Sequence, residues 1–189
     1  MHPIKKLSLA LLALTLTANA GTIKSPSNKP VHVTPGPAFV AKADQWNKFE
    51  SSELLGQPVT FWEYKSNPLL KIIHYKTWQN LEKGDDWAGV LKKNCSLLLP
   101  QLSAALATNI APAKDAKIGS LPACMMRIPG FDKTTSDHYI FVWRSADEKD
   151  KGVYQGHTVT VTYPPNFLAQ GHEAVEGFLK TLVVPEGAK

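Results

Sequence analysis

The stretch DHYIFVWRS, residues 137–145, decides the fold. Successive side chains of an extended chain point to opposite sides, so Tyr139, Phe141 and Trp143 share one face while Ile140 and Val142 share the other. Aromatic and β-branched residues at consecutive positions favour a strand over a helix. A strand that is apolar on both faces belongs in the interior of a sheet covered above and below.

The neighbouring segments extend that sheet. VYQGHTVTVTY, residues 153–163, follows the charged loop ADEKDKG and differs from its partner, with Val153, Val159, Val161 and Tyr163 on one face and Thr158, Thr160 and Thr162 on the other. That alternation predicts a strand nearer a half-wet position. LPACMMRI (121–128) is a further strand, and VTFWEYK (59–65) with LLKIIHYK (69–76) reads as a hairpin around the turn Ser66-Asn67-Pro68.

Helical spacing occupies the gaps. Trp46, Phe49 and Leu54 predict a helix over Ala43 to Gly56, stopped by Gly56 and Pro58. Asp85 or Asp86 caps a second helix with the stripe Trp87, Val90, Leu91 and Leu98. Pro100 is expected to kink or break it, leaving a helical piece over 101–107 and then a polar, alanine-rich connection over 108–118. Val175, Phe178, Leu179 and Leu182 predict a last helix over Ala169 to Leu182 that packs on the sheet. The expectation is an α+β fold, a mainly antiparallel sheet of about five strands with helices on both faces, an α/β/α sandwich.

The run from SDHYIFVWRS to GHTVTVTYPP, followed by an amphipathic helix ending GFLKTLVVP, resembles the closing half of PsbP-like α/β sandwich domains, named for a photosystem II extrinsic subunit. The likeness covers residues 136–184 and is a pattern of strands and a helix without a catalytic motif. It implies a binding or accessory role in an exported protein. The Cys95 and Cys124 pair and Pro100 are departures from that pattern.

Residues 1–20 place Lys5 and Lys6 before an apolar run of about 11 residues that ends in Ala18-Asn19-Ala20, the pattern of a secretory signal peptide. The run is well short of the roughly 20 residues a membrane span needs. Residues 21–38, with Pro26, Pro30, Pro35 and Pro37, read as an extended arm, and residues 39–189 as one α+β domain. Without Lys5 and Lys6 the formal charge of +5 falls to +3, with both signs interspersed. A basic stripe with interleaved aromatics is missing, so nucleic acid is not an expected partner. Cys95 and Cys124 are the only cysteines, and in an exported chain an even pair reads as a disulfide.

Signatures of nucleophilic or phosphate chemistry are missing: the chain contains no G-x-S-x-G and no P-loop. His172-Glu173 is half of a zinc-binding H-E-x-x-H, but Glu176 occupies the second histidine's place. His157 shares strand parity with Val159 and Val161, and His138 on the neighbouring strand is its candidate companion for joint titration or ligand binding. His74 alternates with Leu70 and Ile72 and is expected to cap the end of a sheet face.

The aromatic residues Trp62, Tyr64, Tyr75 and Trp78 form a candidate binding surface on the first hairpin, unless a helix covers them. The expected function is that of a periplasmic or secreted, non-enzymatic binding or accessory protein, with a protein partner in an inhibitor or immunity-like role. The alternatives are a small secreted hydrolase working through His138 and His157, or a carrier of a small apolar ligand. No cofactor and no metal are expected.

Overall fold

A computed structural model describes residues 36–54, 57–83, 87–106, 110–130, 133–144 and 153–185, with side chains undescribed at 51–58, 76–83, 97–106 and 153. Residues 1–35, which carry the expected leader and most of the arm, lie outside the described residues, as does the loop between the last two long strands.

The backbone is dominated by strands. In chain order these are β1 (Ala38–Phe39), β2 (Trp46–Leu54), β3 (Gln57–Tyr64), β4 (Asn67–Lys83), helix α1 (Trp87–Leu106), β5 (Lys114–Ile118), β6 (Leu121–Pro129), β7 (Thr135–Arg144), β8 (Val153–Tyr163), helix α2 (Leu168–Leu179) and β9 (Leu182–Val183). Seven strands form one antiparallel sheet in the order β2-β3-β4-β8-β7-β6-β5, and β1 pairs separately with β9. Two meanders, β2 to β4 and β5 to β8, are therefore sewn together where β4 meets β8.

This corrects the expected fold class. The described residues are β-rich, with a seven-stranded antiparallel sheet and two helices, and do not form the α/β/α sandwich of about five strands that the sequence predicts. Three local departures account for the difference. Ala43 to Gly56, read as a helix, contains β2, where Trp46 points to one face beside Tyr64 and Phe49 to the other, stacked on Phe61 at 4.8 Å. Three apolar residues at 46, 49 and 54 fit a helix stripe loosely, but pairing with β3 satisfies the backbone and uses both parities. Within the expected connection, Lys114–Ile118 forms edge strand β5, polar because its outer side is unpaired. The arm's last residue, Ala38, enters β1.

Helix α1 is a single run of 20 residues that passes through Pro100 rather than ending there. An internal proline removes one ladder bond without having to stop the flanking turns. The last helix ends at Leu179, and Leu182 joins β9 instead of the helical stripe. Gly119, in the β5–β6 turn, adopts φ +55°, and its N–H donates to the Leu179 carbonyl at 3.0 Å. A side chain there would meet Leu182 Cβ at 3.2 Å, so glycine serves both the left-handed turn and the close approach of α2's end.

The reading of β7 survives intact: Tyr139, Ile140, Phe141, Val142 and Trp143 are all buried. Toward one face, Tyr139 and Phe141 join Trp62, Ile72, Val159, Val161 and Phe178 of α2 in the largest core cluster. Toward the other, Ile140 packs with Cys95, Cys124 and Met126, and Val142 with Val90 and Tyr154, beneath α1. The coverage by α1 is partial: it meets β6 and β7, whereas Phe49, on that same face of β2, is 41% exposed.

Strand β8 is not half-wet. It pairs with β4 and β7 at the centre of the sheet, and Thr158 and Thr160 are each only 5% exposed. The threonine face looked wet because hydroxyls suit an exposed strand, but central position is decided by pairing and not by side-chain type. The Thr160 hydroxyl meets His138 Nδ1 at 3.2 Å, which satisfies both groups inside the protein.

Candidate functional site

Three constellations emerge from these elements. The first is a groove of about 670 Å³ between α1 and the β5–β6 hairpin. Trp87, Leu91 and Cys95 line it from one helix face, and Ala113, Pro122 and Cys124 from the strand side. The positions 87, 91 and 95 recur at one helical turn, so α1 presents a continuous stripe to it. Among the described residues its rim carries Lys92 and Asp115, both exposed.

The floor of the groove is fixed covalently. Cys95 and Cys124 form the expected disulfide, which ties α1 to β6. This bond fits an oxidising compartment of the kind exported proteins occupy. Among the described residues no helix is long and apolar enough to cross a membrane.

The second constellation is a pair of histidines on the α2 side of the sheet. His74 Nε2 and His157 Nδ1 lie 3.1 Å apart, within hydrogen-bond distance. Register makes them neighbours: His74 stands opposite Val159 and His157 opposite Lys76, so the two imidazoles are diagonal partners on one face of β4 and β8. His157 stacks on Phe141 with ring centroids 4.9 Å apart and planes 8° apart, and Phe39 of β1 meets His74 nearly perpendicularly at 5.3 Å. Burial pushes the His74 imidazole down to about 4, because the charged form loses its water. Trp143 and Gln155 face each other across β7 and β8 on the same side, with the indole N–H and the carboxamide oxygen buried and without hydrogen bonds among the described residues.

The third is a charged cluster at the opposite end of that face. Asp137 is fully buried and accepts two bonds from Arg127, Nε to Oδ1 at 2.7 Å and Nη2 to Oδ2 at 2.8 Å. The Arg127 side chain remains 40% exposed, and its Nη2 also donates to His172 Nε2 at 3.2 Å. The bond with Asp137 raises the guanidinium pKa, whereas burial together with the Asp137 carboxylate pushes the Tyr139 hydroxyl up to about 12 and the Tyr163 hydroxyl higher still. This forked pairing holds β6, β7 and α2 together through charge-assisted bonds.

The residues singled out by sequence are scattered. His138 and His157 do not meet: His138 is on the α1 side of β7, bonded to Thr160, while His157 is on the α2 side. A one-position difference in parity across β7 and β8 puts them on opposite faces, which removes the shared site the sequence suggests. Burial pushes His138 down to about 4, offset in part by the neighbouring Asp137 carboxylate. His74, read as a capping residue, is the partner His157 actually finds.

The hairpin aromatics also divide. Trp62 is 2% exposed beneath Phe39 and Phe178, and Tyr64 packs against Trp46, so these two belong to the core side. Tyr75 stands opposite Val59 on the other face, where burial raises its hydroxyl pKa and Thr158 bonds it. The Trp78 side chain lies outside the described residues. Among the described residues no group of three or more histidine, cysteine or carboxylate side chains is arranged to hold a metal.

The groove was missed by sequence reading, although its signal was present. Trp87 and Leu91 belong to the apolar helix stripe that the sequence shows, with Cys95 beside it, but a stripe does not say which part of it the sheet fails to fill. Comparison with family models, curated proteins and solved structures found no match, so the PsbP-like likeness of residues 136–184 stays a resemblance.

Proposed function

We propose that the protein is a periplasmic or secreted binding or accessory protein whose working surface is the groove between α1 and β5–β6. The observation that carries this reading is the coincidence of an open apolar groove with a disulfide at its floor. A binding groove gains affinity when its walls are fixed beforehand, because little ordering entropy is then lost on association. Trp87 and Leu91 offer apolar area, and Lys92 and Asp115 offer orienting charges at the rim.

The occupant this surface favours is an apolar side chain or short segment of a protein partner, in keeping with an inhibitor or immunity-like role. A groove of about 670 Å³ also lies in the size range of small-molecule sites, which favours an apolar-ligand carrier as the second reading. The hydrolase reading built on His138 and His157 is not carried forward, since the sheet separates them.

A photo-reactive amino acid at Ala88, an exposed position on the groove wall, tests both readings in the exporting cell. A discrete protein adduct that disappears on Leu91→Arg supports the partner role. A small molecule retained in native mass spectrometry and lost in the same variant supports the carrier. If neither is seen, the groove is not a binding surface and the proposal fails.

A further inference from the structure

We propose that the outer edge of β5 pairs antiparallel with the same edge of a second copy of the chain, on a two-fold axis through Ala116 that sets Asp115 of each copy against Lys117 of the other.

The edge is exposed, and the direction of its backbone groups follows from the hairpin. β5 ends the seven-stranded sheet and, among the described residues, pairs only with β6. Lys114, Asp115 and Lys117 are exposed and Ala116 is half-buried, whereas Ile118 is buried. Gly119 and Ser120 alone join the two strands, with Ile118 opposite Leu121. In a two-residue hairpin the residues flanking the turn exchange both backbone bonds, and the pairs behind them alternate. Ala116 and Lys114 therefore direct their N–H and C=O groups to Ala123 and Met125, while Lys117 and Asp115 direct theirs to the open side. Pro122 agrees with this assignment: it stands opposite Lys117 and has no N–H, which suits a position that gives β5 no bond.

The charges select the partner. Asp115 and Lys117 share the α1 face of the strand, because Asp115 lies opposite Cys124, which is bonded to Cys95 of α1. A two-fold axis through Ala116 makes Asp115 and Lys117 of the second copy a hydrogen-bonded pair, and symmetry repeats that pair across the axis. Every backbone group that these two residues turn outward then finds a donor or an acceptor, and each pair sets opposite charges directly across the strands. The slipped registers do not: an axis through Asp115 opposes two carboxylates, and one through Lys117 opposes two ammonium groups. Lysines on an edge strand ordinarily discourage association. With Asp115 two positions from Lys117, they instead reject every register except the complementary one.

On the α2 face the axis carries Ala116, small and uncharged, with Lys114 of each copy opposite Ile118 of the other. An axis of this kind is perpendicular to the sheet, so α1 of both copies lies on the same side. The two grooves between α1 and β5–β6 then open toward each other across the new strand pair. The pairing stands whatever the grooves hold.

Sedimentation equilibrium of the purified protein tests the pairing. A monomer–dimer equilibrium is expected, weakened by salt as the cross-strand charges are screened. Asp115→Lys and Lys117→Asp should each raise the dimer dissociation constant by about tenfold or more, and the two together, which restore opposite charges in exchanged places, should return it to within about threefold of the parent. Ala116→Cys should form a disulfide between copies under mild oxidation, because a pair without backbone bonds holds its Cα atoms about 4.5 Å apart, whereas Lys114→Cys, opposite Ile118, should not. The proposal is overturned by the mass of a single chain at concentrations up to about 100 µM. Dimerisation that neither charge reversal weakens, or that the exchanged pair does not restore, overturns it as well. Should a charge variant fail to fold, cross-linking decides: a bond absent at position 116, or equal at 114 and 116, overturns the pairing.

Discussion

His74 and His157 are 83 residues apart in the chain and 3.1 Å apart in space, joined Nε2 to Nδ1 on one face of the sheet. Their contact exists because β4 and β8, which belong to different meanders, pair in a register that sets the two side chains diagonally. Burial of such a pair couples the protein's stability to pH.

Stability should fall as pH drops from about 6.5 toward 4. His74 and His138 both have folded pKa values lowered from 6.5 to about 4, so over that window the unfolded chain binds more protons than the folded one. Unfolding free energy therefore decreases with acidification, at a limit of roughly 1.4 kcal/mol per pH unit for each histidine. Urea unfolding at pH 7, 5.5 and 4.5 measures the slope, and His138→Asn should remove about half of it.

Reducing the Cys95–Cys124 bridge should destabilise without erasing the sheet. The bond spans 29 positions of sequence, for which loop entropy suggests about 3–4 kcal/mol. Cys95→Ser with Cys124→Ser should lower the urea midpoint accordingly, and exchange protection should be lost first in α1, the element the bond ties down.

Arg127 and Asp137 should respond unequally to removal. Arg127→Met leaves a fully buried carboxylate without its cation and is expected to cost about 3–5 kcal/mol at neutral pH. Asp137→Asn leaves a guanidinium that is already 40% exposed and can turn to solvent, so its cost should be about 1–2 kcal/mol. Equal losses would mean that the pair is not the asymmetric arrangement described.

The two aromatic faces of the first hairpin should be distinguishable by truncation. Trp62→Ala empties a site among Phe39, Ile72 and Phe178 and should cost about 3–5 kcal/mol. Phe49→Ala removes a ring that is 41% exposed and supported on one side by Phe61, for which about 1 kcal/mol is expected. Thermal or urea midpoints of the two variants give the comparison.

Much of the fold was legible in the residues. The doubly apolar run Tyr139 to Trp143 required a buried central strand, and the helical stripe Val175, Phe178 and Leu179 required α2. The disulfide followed from cysteine parity. The misreadings share a cause. β2 and β5 carry few apolar residues in no clean alternation, because an edge strand buries little, and their extended state is set by the partner strand rather than by their own pattern. Alternation puts Trp62 and Phe61 on opposite faces of β3 without saying which face meets the helix.

The candidate sites divide in the same way. By itself the sequence determined which segments are greasy, where β7 must sit and which two sulfurs are available, since side-chain type and spacing act within a few residues. Only the tertiary structure decided that His157 meets His74 and not His138, that Asp137 is buried against Arg127, and that α1 leaves a groove beside Cys124. Those outcomes depend on strand register and on how completely a helix covers a sheet, quantities summed over contacts between distant parts of the chain, which no local pattern contains.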